Sequence, residues 1–296
     1  MIAIIFGLAT AVLWATTLLG SARSSRLIGA WSTLAWVMLV GLALAVPIIV
    51  FGGGTVQLDG RDIFHLTVAG IANSGGLLLV YTALRRGKIG VVGPIVSTEG
   101  AIGATLAVIG GDPVSAVAIG LLVVITIGVV MAASEPTPDP LPETPIPDAG
   151  SRLPIPSAAV TAAIAIGGAV LFGINLYVTS RIARDLPIAW AILPARLAGV
   201  IGVSIPLILT RRLQLARAAV PFVILVGCAE VAGVATFSIG ARESAAVASV
   251  IASQFAGIAA IAAFLLFGEW LGRLQVAGVI VIAIGVGALA AAQAQA

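Results

Sequence analysis

The chain has 296 residues, of which 60% are apolar and only 9% are charged, and its mean hydropathy is +1.19. Soluble proteins carry roughly 25% charged residues, so this composition excludes a globular protein whose whole surface faces water. The formal net charge is only +3, and the Lys and Arg residues fall between apolar stretches. This distribution fits lipid head groups and argues against a nucleic-acid partner.

Apolar stretches separated by charges and turn residues predict ten transmembrane helices. About 20 apolar residues cross the hydrocarbon core of a bilayer, and these uniformly apolar runs lack the alternation of barrel strands. The first run has no charged residues at its start, so we interpret it as a helix, with a cleaved signal peptide as the alternative. The predicted spans cover residues 2–20, 29–51, 63–84, 89–110, 114–133, 157–180, 187–209, 219–240, 245–267 and 273–293.

A proline-rich, acidic segment separates the fifth and sixth predicted spans. Residues 134–156 contain eight prolines and four acidic residues, a composition typical of an extended and solvated polyproline-type chain. The sequence therefore predicts a linker between two five-helix units, residues 1–133 and 157–296. A partner-binding segment is the alternative interpretation.

The two units share an ordered series of short matches. They pair Ala11–Trp14 with Ala169–Phe172, Ala30-Trp31 with Ala189-Trp190, Gly70, Asn73 and Gly76 with Gly227, Glu230 and Gly233, and Gly111-Asp112 with Gly268-Glu269. Because five is an odd number, the second unit would enter the membrane from the opposite side. The predicted fold is therefore an all-α membrane protein of two inverted repeats, an architecture common in secondary transporters, which bind substrate near the membrane midplane.

Several of these motifs also carry a family resemblance. They are Leu13-Trp14, Tyr81–Leu84, Phe172–Asn175 and Gly268-Glu269. With the five-plus-five layout, they make the chain similar to the drug/metabolite transporter superfamily, in its EamA-type ten-helix branch. The resemblance implies export or exchange of small metabolites, amino acids or drugs, driven by ion or substrate gradients.

Three charged residues fall near the midpoints of predicted spans: Glu99, Arg196 and Glu230. A charge inside a membrane is costly and is a functional hypothesis by default. Glu230 is the strongest candidate for a coupling or substrate-binding carboxylate that exchanges a proton, and a permanent ion pair with Arg196 is the alternative. Arg196 suits a carboxylate or phosphate on a substrate. Glu99 is a candidate cavity residue, with a hydrogen-bonded packing role as the alternative.

Further residues complete the predicted site. Asn73 and Gln254 lie at the same predicted depth as the charges, and Trp14 and Tyr81 are candidates for aromatic walls around a substrate. For the two aromatic residues an interfacial belt is the alternative. The predicted substrate-binding or coupling residues are Glu230, Arg196, Glu99, Asn73, Gln254, Trp14, Tyr81 and Asn175.

The sequence therefore predicts a secondary active transporter of small molecules that exports or exchanges amino acids or metabolites. A multidrug or cation exporter is the alternative, ahead of a membrane-embedded enzyme or a non-transporting scaffold. A fixed Arg196–Glu230 pair would leave Glu99 as the lone charge and favour cations, whereas a free Arg196 would favour anionic or zwitterionic cargo. With one His and one Cys, we expect neither a metal nor a cofactor. Protons are the candidate coupling ion.

The location of the chain is predicted as a multi-pass protein of the plasma membrane, either a monomer or a homodimer. Connections after helices one, three, five, seven and nine hold ten Lys and Arg residues, against four in the others. The positive-inside rule would place both termini outside the cell, whereas the family resemblance implies termini in the cytoplasm.

Overall fold

The computed structural model describes residues 1–52, 56–86, 89–133, 158–259, 262 and 272–294. Every regular element in these ranges is helical. The predicted linker at 134–156 and the Gly268-Glu269 motif lie outside the described residues.

Six helices lie in the first unit, and the continuous apolar runs of the sequence account for their lengths. A turn at Gly29, whose φ of 82° suits glycine, separates the first two. The helices are α1 (Ile2–Ile28), α2 (Ala30–Gly52), α3 (Gly60–Arg86), α4 (Ile89–Ser97), α5 (Glu99–Ile109) and α6 (Ala116–Ala133).

The second unit repeats long helices with short interruptions. They are α7 (Ala158–Asp185), α8 (Ile188–Gly199), a π-helical turn (Val200–Ser204), α9 (Ile205–Leu209), a 3₁₀ turn (Arg217–Ala219), α10 (Val220–Glu243), α11 (Ala245–Ala252) and α12 (Arg273–Ala294). Pro206 has no backbone N–H, so the carbonyl one turn earlier loses its helical partner, and this explains the π turn at that point.

Six of these stretches are long and apolar enough to cross a membrane. They are Ile2–Ile28, Ala30–Val50, Gly60–Arg85, Ala159–Asp185, Ile188–Leu209 and Arg217–Glu243. The chain is therefore a membrane protein with several apolar helices, as predicted. The other four predicted spans correspond to shorter helices or to segments that are only partly described, so ten spans stay a prediction.

The predicted span at 89–110 is two helices, because the helix is interrupted at Thr98. The proline at position 94 removes one backbone donor, and a tight turn follows, in which the Thr98 N–H bonds to the Ile95 carbonyl at 3.2 Å. The hydroxyls of Ser97 and Thr98 donate to the Gly93 and Ile95 carbonyls at 3.0 and 2.7 Å. A similar interruption occurs at Ser253 and Gln254, after which residues 255–259 are helical again.

The two units interlock along their length. Helix α1 packs along α10 and α3 along α7, while α5 packs against α7 and α11 against α1. Helices α3 and α10 further contact α8 and α2 of the other unit, and α6 pairs with α12. Close packing of small residues, not separation of apolar surface from water, holds such helices together in lipid. The centre of the bundle therefore lies at the boundary between the units.

Candidate functional site

A cavity of about 50 Å³ lies at this boundary. Helices α1, α3, α4 and α5 supply one side, and α7, α10 and the segment after α11 supply the other. Its walls are formed by Trp14, Thr17, Leu18, Ser21, Asn73, Leu77, Val80, Tyr81, Val96, Glu99, Phe172, Asn175, Leu176, Glu230 and Phe255. The lining is mostly apolar with a few polar groups, which is typical of a small-molecule site.

Glu99 brings a carboxylate into the cavity from the interruption between α4 and α5. Its side chain is 3% exposed, and among the described residues none donates a hydrogen bond or forms an ion pair with it. It is the first residue of α5, where backbone N–H groups without helical partners favour a negative charge. The fold thus holds a buried carboxylate at the cavity wall with its oxygens available to a ligand.

Glu230 on α10 faces the same cavity but has a charged partner. One of its oxygens, Oε2, lies 3.6 Å from Nη2 of Arg196, and Thr17 of α1 faces the same carboxylate. Arg196 comes from α8 and is fully buried. The pair is therefore internal to the second unit and neutral overall.

Helix α2 provides the space for the Arg196 guanidinium. A Cβ added to Gly41 would lie 2.7 Å from Cδ of Arg196, so only glycine leaves room for the side chain there. Met38, one turn away on α2, accepts a weak hydrogen bond from Nη1 of Arg196 at 3.6 Å. Two further nitrogens, Nε and Nη2, have no hydrogen-bond partner in the described part of the chain, which leaves the ion pair as the main compensation for the buried charge.

Neutral polar groups surround the two carboxylates. Among the described residues, the Trp14 indole N–H, the Tyr81 hydroxyl and the Asn73 carbonyl oxygen lack hydrogen-bond partners although they are buried. Asn175 accepts a hydrogen bond from Thr179 at 3.3 Å, which leaves its NH₂ group for other partners. Buried polar groups are normally paired, so these donors and acceptors indicate a place for water or a polar ligand.

Two aromatic side chains of the cavity are seated against glycines of the opposite unit. Trp14 of α1 lies over Gly233 of α10, and Phe172 of α7 lies over Gly76 of α3; a Cβ at either glycine would overlap the ring. Trp14 also stacks on Phe237, with ring centroids 6.0 Å apart. The glycines therefore fix how far each ring reaches into the cavity.

Most of the predicted site residues meet at this cavity. Glu230, Glu99, Asn73, Trp14, Tyr81 and Asn175 line it. Arg196 lies behind Glu230 and is not on the wall, and Gln254 is buried at the second helix interruption without lining the cavity. The substrate-binding or coupling role of Arg196 stays a prediction.

Nine lining residues lie outside the predicted set, and Thr17, Ser21, Phe172 and Phe255 are among them. Thr17 and Ser21 follow Trp14 at helical spacing, so the α1 face that carries Trp14 could have identified them. Phe172 and Phe255 read as ordinary apolar residues in an apolar chain. Only their position relative to Gly76 and the second interruption brings them to the cavity.

The described residues contain no group of three or more His, Cys, Asp or Glu side chains that could hold a metal ion. The cavity offers instead carboxylate, amide, hydroxyl and indole groups within aromatic walls. Such a set can bind a small organic molecule by charge, hydrogen bonds and ring contacts.

An all-helical membrane bundle with a central cavity, whose mostly apolar lining carries a few polar groups, defines the class of protein, a polytopic membrane protein. Residues 1–134 match the sequence profile of the EamA-like transporter family, which is part of the drug/metabolite transporter superfamily. The resemblance seen in the sequence is thus confirmed. The family consists of membrane transporters.

Comparison with curated proteins finds no match. Among solved structures, one crystal structure aligns with a TM-score of 0.72 and 16% identity, covering 97% of this chain and 95% of the other. At that identity the likeness shows a shared fold.

Proposed function

We propose that this chain is a secondary active transporter that moves a small molecule through the central cavity by alternating access. The observation that carries the proposal is the cavity itself, which lies between the two units and holds a buried carboxylate, Glu99, that has no ion-pair partner among the described residues. A cavity between two halves can be exposed to either side of the membrane when the halves rock against each other. The match of residues 1–134 to the EamA-like transporter family supports the same conclusion.

The proposed architecture is ten spans in two inverted repeats, residues 1–133 and 157–296, joined by the linker at 134–156. The packing supports it, because the main helix contacts between the units have counterparts when the units are exchanged. The contact of α1 with α10 corresponds to that of α7 with α3, and the contact of α5 with α7 corresponds to that of α11 with α1. The Trp14–Gly233 and Phe172–Gly76 contacts repeat the relation at single residues.

The ion pair between Arg196 and Glu230 bears on the charge of the transported molecule. Because Arg196 is compensated by Glu230 and does not line the cavity, it supports a substrate carboxylate poorly. Glu99 is left as the uncompensated charge of the wall, among the rings of Trp14 and Tyr81. We therefore propose cargo that carries a positive charge, either an amine-bearing amino acid or metabolite or an organic cation. The ion pair therefore favours a cationic cargo over an anionic or zwitterionic one.

Glu230 is the proposed coupling group. Its ion pair with Arg196 is 3.6 Å long, so a proton on Glu230 would remove the attraction that holds α8 to α10. Protons are accordingly the proposed coupling ion. The protein would act as a monomer or homodimer in the plasma membrane.

The experiment is a flux assay with purified protein in liposomes. Uptake of a tetraalkylammonium ion, a primary amine and a neutral amino acid is measured with and without a pH gradient. We expect flux of the two cations, and a fall of roughly tenfold or more with Glu99→Gln, because removing one partner of a buried charge contact costs about 2–5 kcal/mol and each 1.4 kcal/mol is tenfold.

The matched control is Asp185→Asn, which removes an exposed carboxylate at the end of α7. It should transport like the unmodified protein. Absence of flux for all three solutes would contradict the transport proposal, whereas normal cation flux in Glu99→Gln would contradict only the role of Glu99. Normal flux of Glu230→Gln across a pH range would contradict the coupling role of Glu230.

A further inference from the structure

A second group of charges lies away from the cavity, at the end of the bundle where Met1 lies. Asp112 follows α5 in the first unit, and its side chain is 3% exposed. Oδ2 of Asp112 lies 2.7 Å from Nη2 of Arg184 and Oδ1 lies 3.6 Å from Nη2 of Arg181, both on the last turns of α7. Arg181 also donates to the Gly110 carbonyl at 2.6 Å. Three charges thus join the first unit to the second.

This cluster is the centre of a wider set of contacts at the same end. The guanidinium of Arg181 lies over the ring of Tyr177, 5.0 Å from its centroid. From α10, Arg242 donates to the carbonyls of Ala183 and Leu186 at 2.6 and 3.1 Å. The ends of α5, α7 and α10 are therefore tied together.

An apolar layer separates the cluster from the cavity. It consists of Leu176, Phe237, Ala241, Ala248 and Ala252, with Trp14 packed against it. Along α7 the cavity residue Asn175 is followed by Leu176 of the apolar layer and then by Arg181 and Arg184. At 1.5 Å per residue, Arg184 lies about 14 Å beyond Asn175 along the helix axis. Towards the Met1 end, the cavity is thus closed by an apolar layer with an ionic cluster behind it.

The opposite end of the bundle differs. In the register that aligns Trp14 with Phe172, Arg23 and Arg26 of α1 are the counterparts of Arg181 and Arg184. Both are exposed, and neither forms an ion pair with any residue that the structure describes. The cavity lining extends towards this end, to Ser21 on α1 and Tyr81 on α3. The repeat positions thus carry the same charges, but only the Met1 end has them engaged within the described chain.

We propose that Asp112, Arg181 and Arg184 form an ionic latch that keeps the cavity closed at the Met1 end and that opens during each transport cycle. The side chains of Arg181 and Arg184 are 15% and 29% exposed. Water therefore reaches both guanidinium groups, so the arginines can be solvated when they separate from Asp112, and the latch can break and re-form. This inference rests on the alternating-access proposal, since a latch has a role only if the cavity changes the side to which it opens.

The test is hydrogen–deuterium exchange, followed by mass spectrometry, on the whole protein in lipid nanodiscs. Asp112→Asn should accelerate amide exchange roughly fivefold or more in residues 103–112, 177–186 and 241–249, a coupling of the size usual between two conformational states. In the same variant, exchange should slow in residues 18–25 and 77–85 at the opposite end, because opening one end closes the other. Arg184→Gln, which removes the 2.7 Å partner, should give the same two-sided change if Asp112→Asn folds poorly.

Two further variants separate a latch from a simple structural contact. Asp112→Glu keeps the charge and should restore the unmodified exchange pattern. Arg26→Gln removes the counterpart charge at the other end and should cause no acceleration at the Met1 end. Faster exchange at the Met1 end without slowing at the opposite end would overturn the latch and leave a local clamp.

The exchange readout is independent of cargo. A two-sided change in a protein that moves no solute would support the latch as a conformational element and contradict transport. Normal transport by a protein whose Asp112→Asn variant shows no two-sided change would contradict the latch alone.

Discussion

Glu99 and Glu230 face one cavity and are buried to nearly the same degree, at 3% and 4% exposure. Glu230 has an arginine 3.6 Å away, whereas Glu99 has no ionic partner among the described residues. The comparison teaches that burial alone does not define the role of a membrane carboxylate. The partner does, because a paired carboxylate contributes to the fold and an unpaired one remains available to a ligand.

The two carboxylates differ in pairing because Arg196 has no charged counterpart in the first unit. In the register that aligns Ala30 with Ala189, the counterpart of Arg196 in the first unit is Val37, which is buried in the apolar core. Glu99 has Phe255 at the corresponding place, and Glu230 has Asn73. In the proposed repeat the positions correspond but the charges do not, so the two walls of the cavity differ in chemistry.

The largest expected effect comes from Glu230→Gln, which leaves Arg196 buried without its ionic partner. Breaking a buried ion pair in this way costs about 3–5 kcal/mol. We expect a clearly lower apparent unfolding temperature in detergent, measured by differential scanning fluorimetry. An unfolding temperature equal to that of Glu99→Gln would show that the two carboxylates do not differ as described.

A smaller effect is expected when both partners are replaced. In Glu230→Gln combined with Arg196→Met, neither member of the ion pair keeps its charge, and exchanging a buried ion pair for well-packed residues is often neutral or stabilising by about 1–4 kcal/mol. The double variant should therefore unfold at a higher temperature than Glu230→Gln alone. Additive losses from the two single changes would contradict an ion pair.

Gly41→Ala tests whether the Arg196 side chain needs the space beside Gly41. The added Cβ would lie 2.7 Å from Cδ of Arg196, and overpacking a buried site costs about 1–3 kcal/mol. The unfolding temperature should fall by less than in Glu230→Gln. The matched control is Gly120→Ala in α6, where a Cβ would meet nothing within 4 Å; an equal fall there would contradict a specific role for Gly41.

Glu99→Gln should have the smallest effect on stability. Because the carboxylate has no partner to lose and a buried charge is costly, we expect the unfolding temperature to stay the same or to rise, by up to about 1 kcal/mol of stability. The measurement is the same thermal scan, made beside the flux assay in which this variant should fail. A strong fall in unfolding temperature would mean that Glu99 holds the fold together.

Much of the helical framework could be predicted from composition and from the charged and turn residues that separate the apolar runs. Long apolar runs have few alternatives in lipid, because every backbone group must be paired within the segment. Six of the predicted spans correspond to helices long enough to cross a membrane. The interruption at Thr98 was not predicted as a break, because residues 89–110 are apolar on both sides and only the hydrogen bonds reveal it.

Some residues of the candidate site could be predicted from the sequence and others could not, for a related reason. Charged residues in apolar spans are rare, so Glu99 and Glu230 were evident from the sequence. Phe172 appeared in a motif but not as a site residue, and Phe255 gave no signal, since a phenylalanine in such a chain is ordinary. Asp112 enters the sequence analysis only through the match of Gly111-Asp112 with Gly268-Glu269, and nothing in its own segment points to Arg181 and Arg184, about 70 residues away.

The sequence by itself determined that this protein lies in a membrane, the order of its helices, the EamA resemblance and the two carboxylates at its centre. These follow from residue type and spacing, which the chain carries locally. The tertiary structure decided which carboxylate meets Arg196, that Arg196 lies behind the wall, and that Asp112 joins the ends of α5 and α7. Each of these depends on the approach of helices distant in the sequence, which small residues such as Gly41 permit by shape alone.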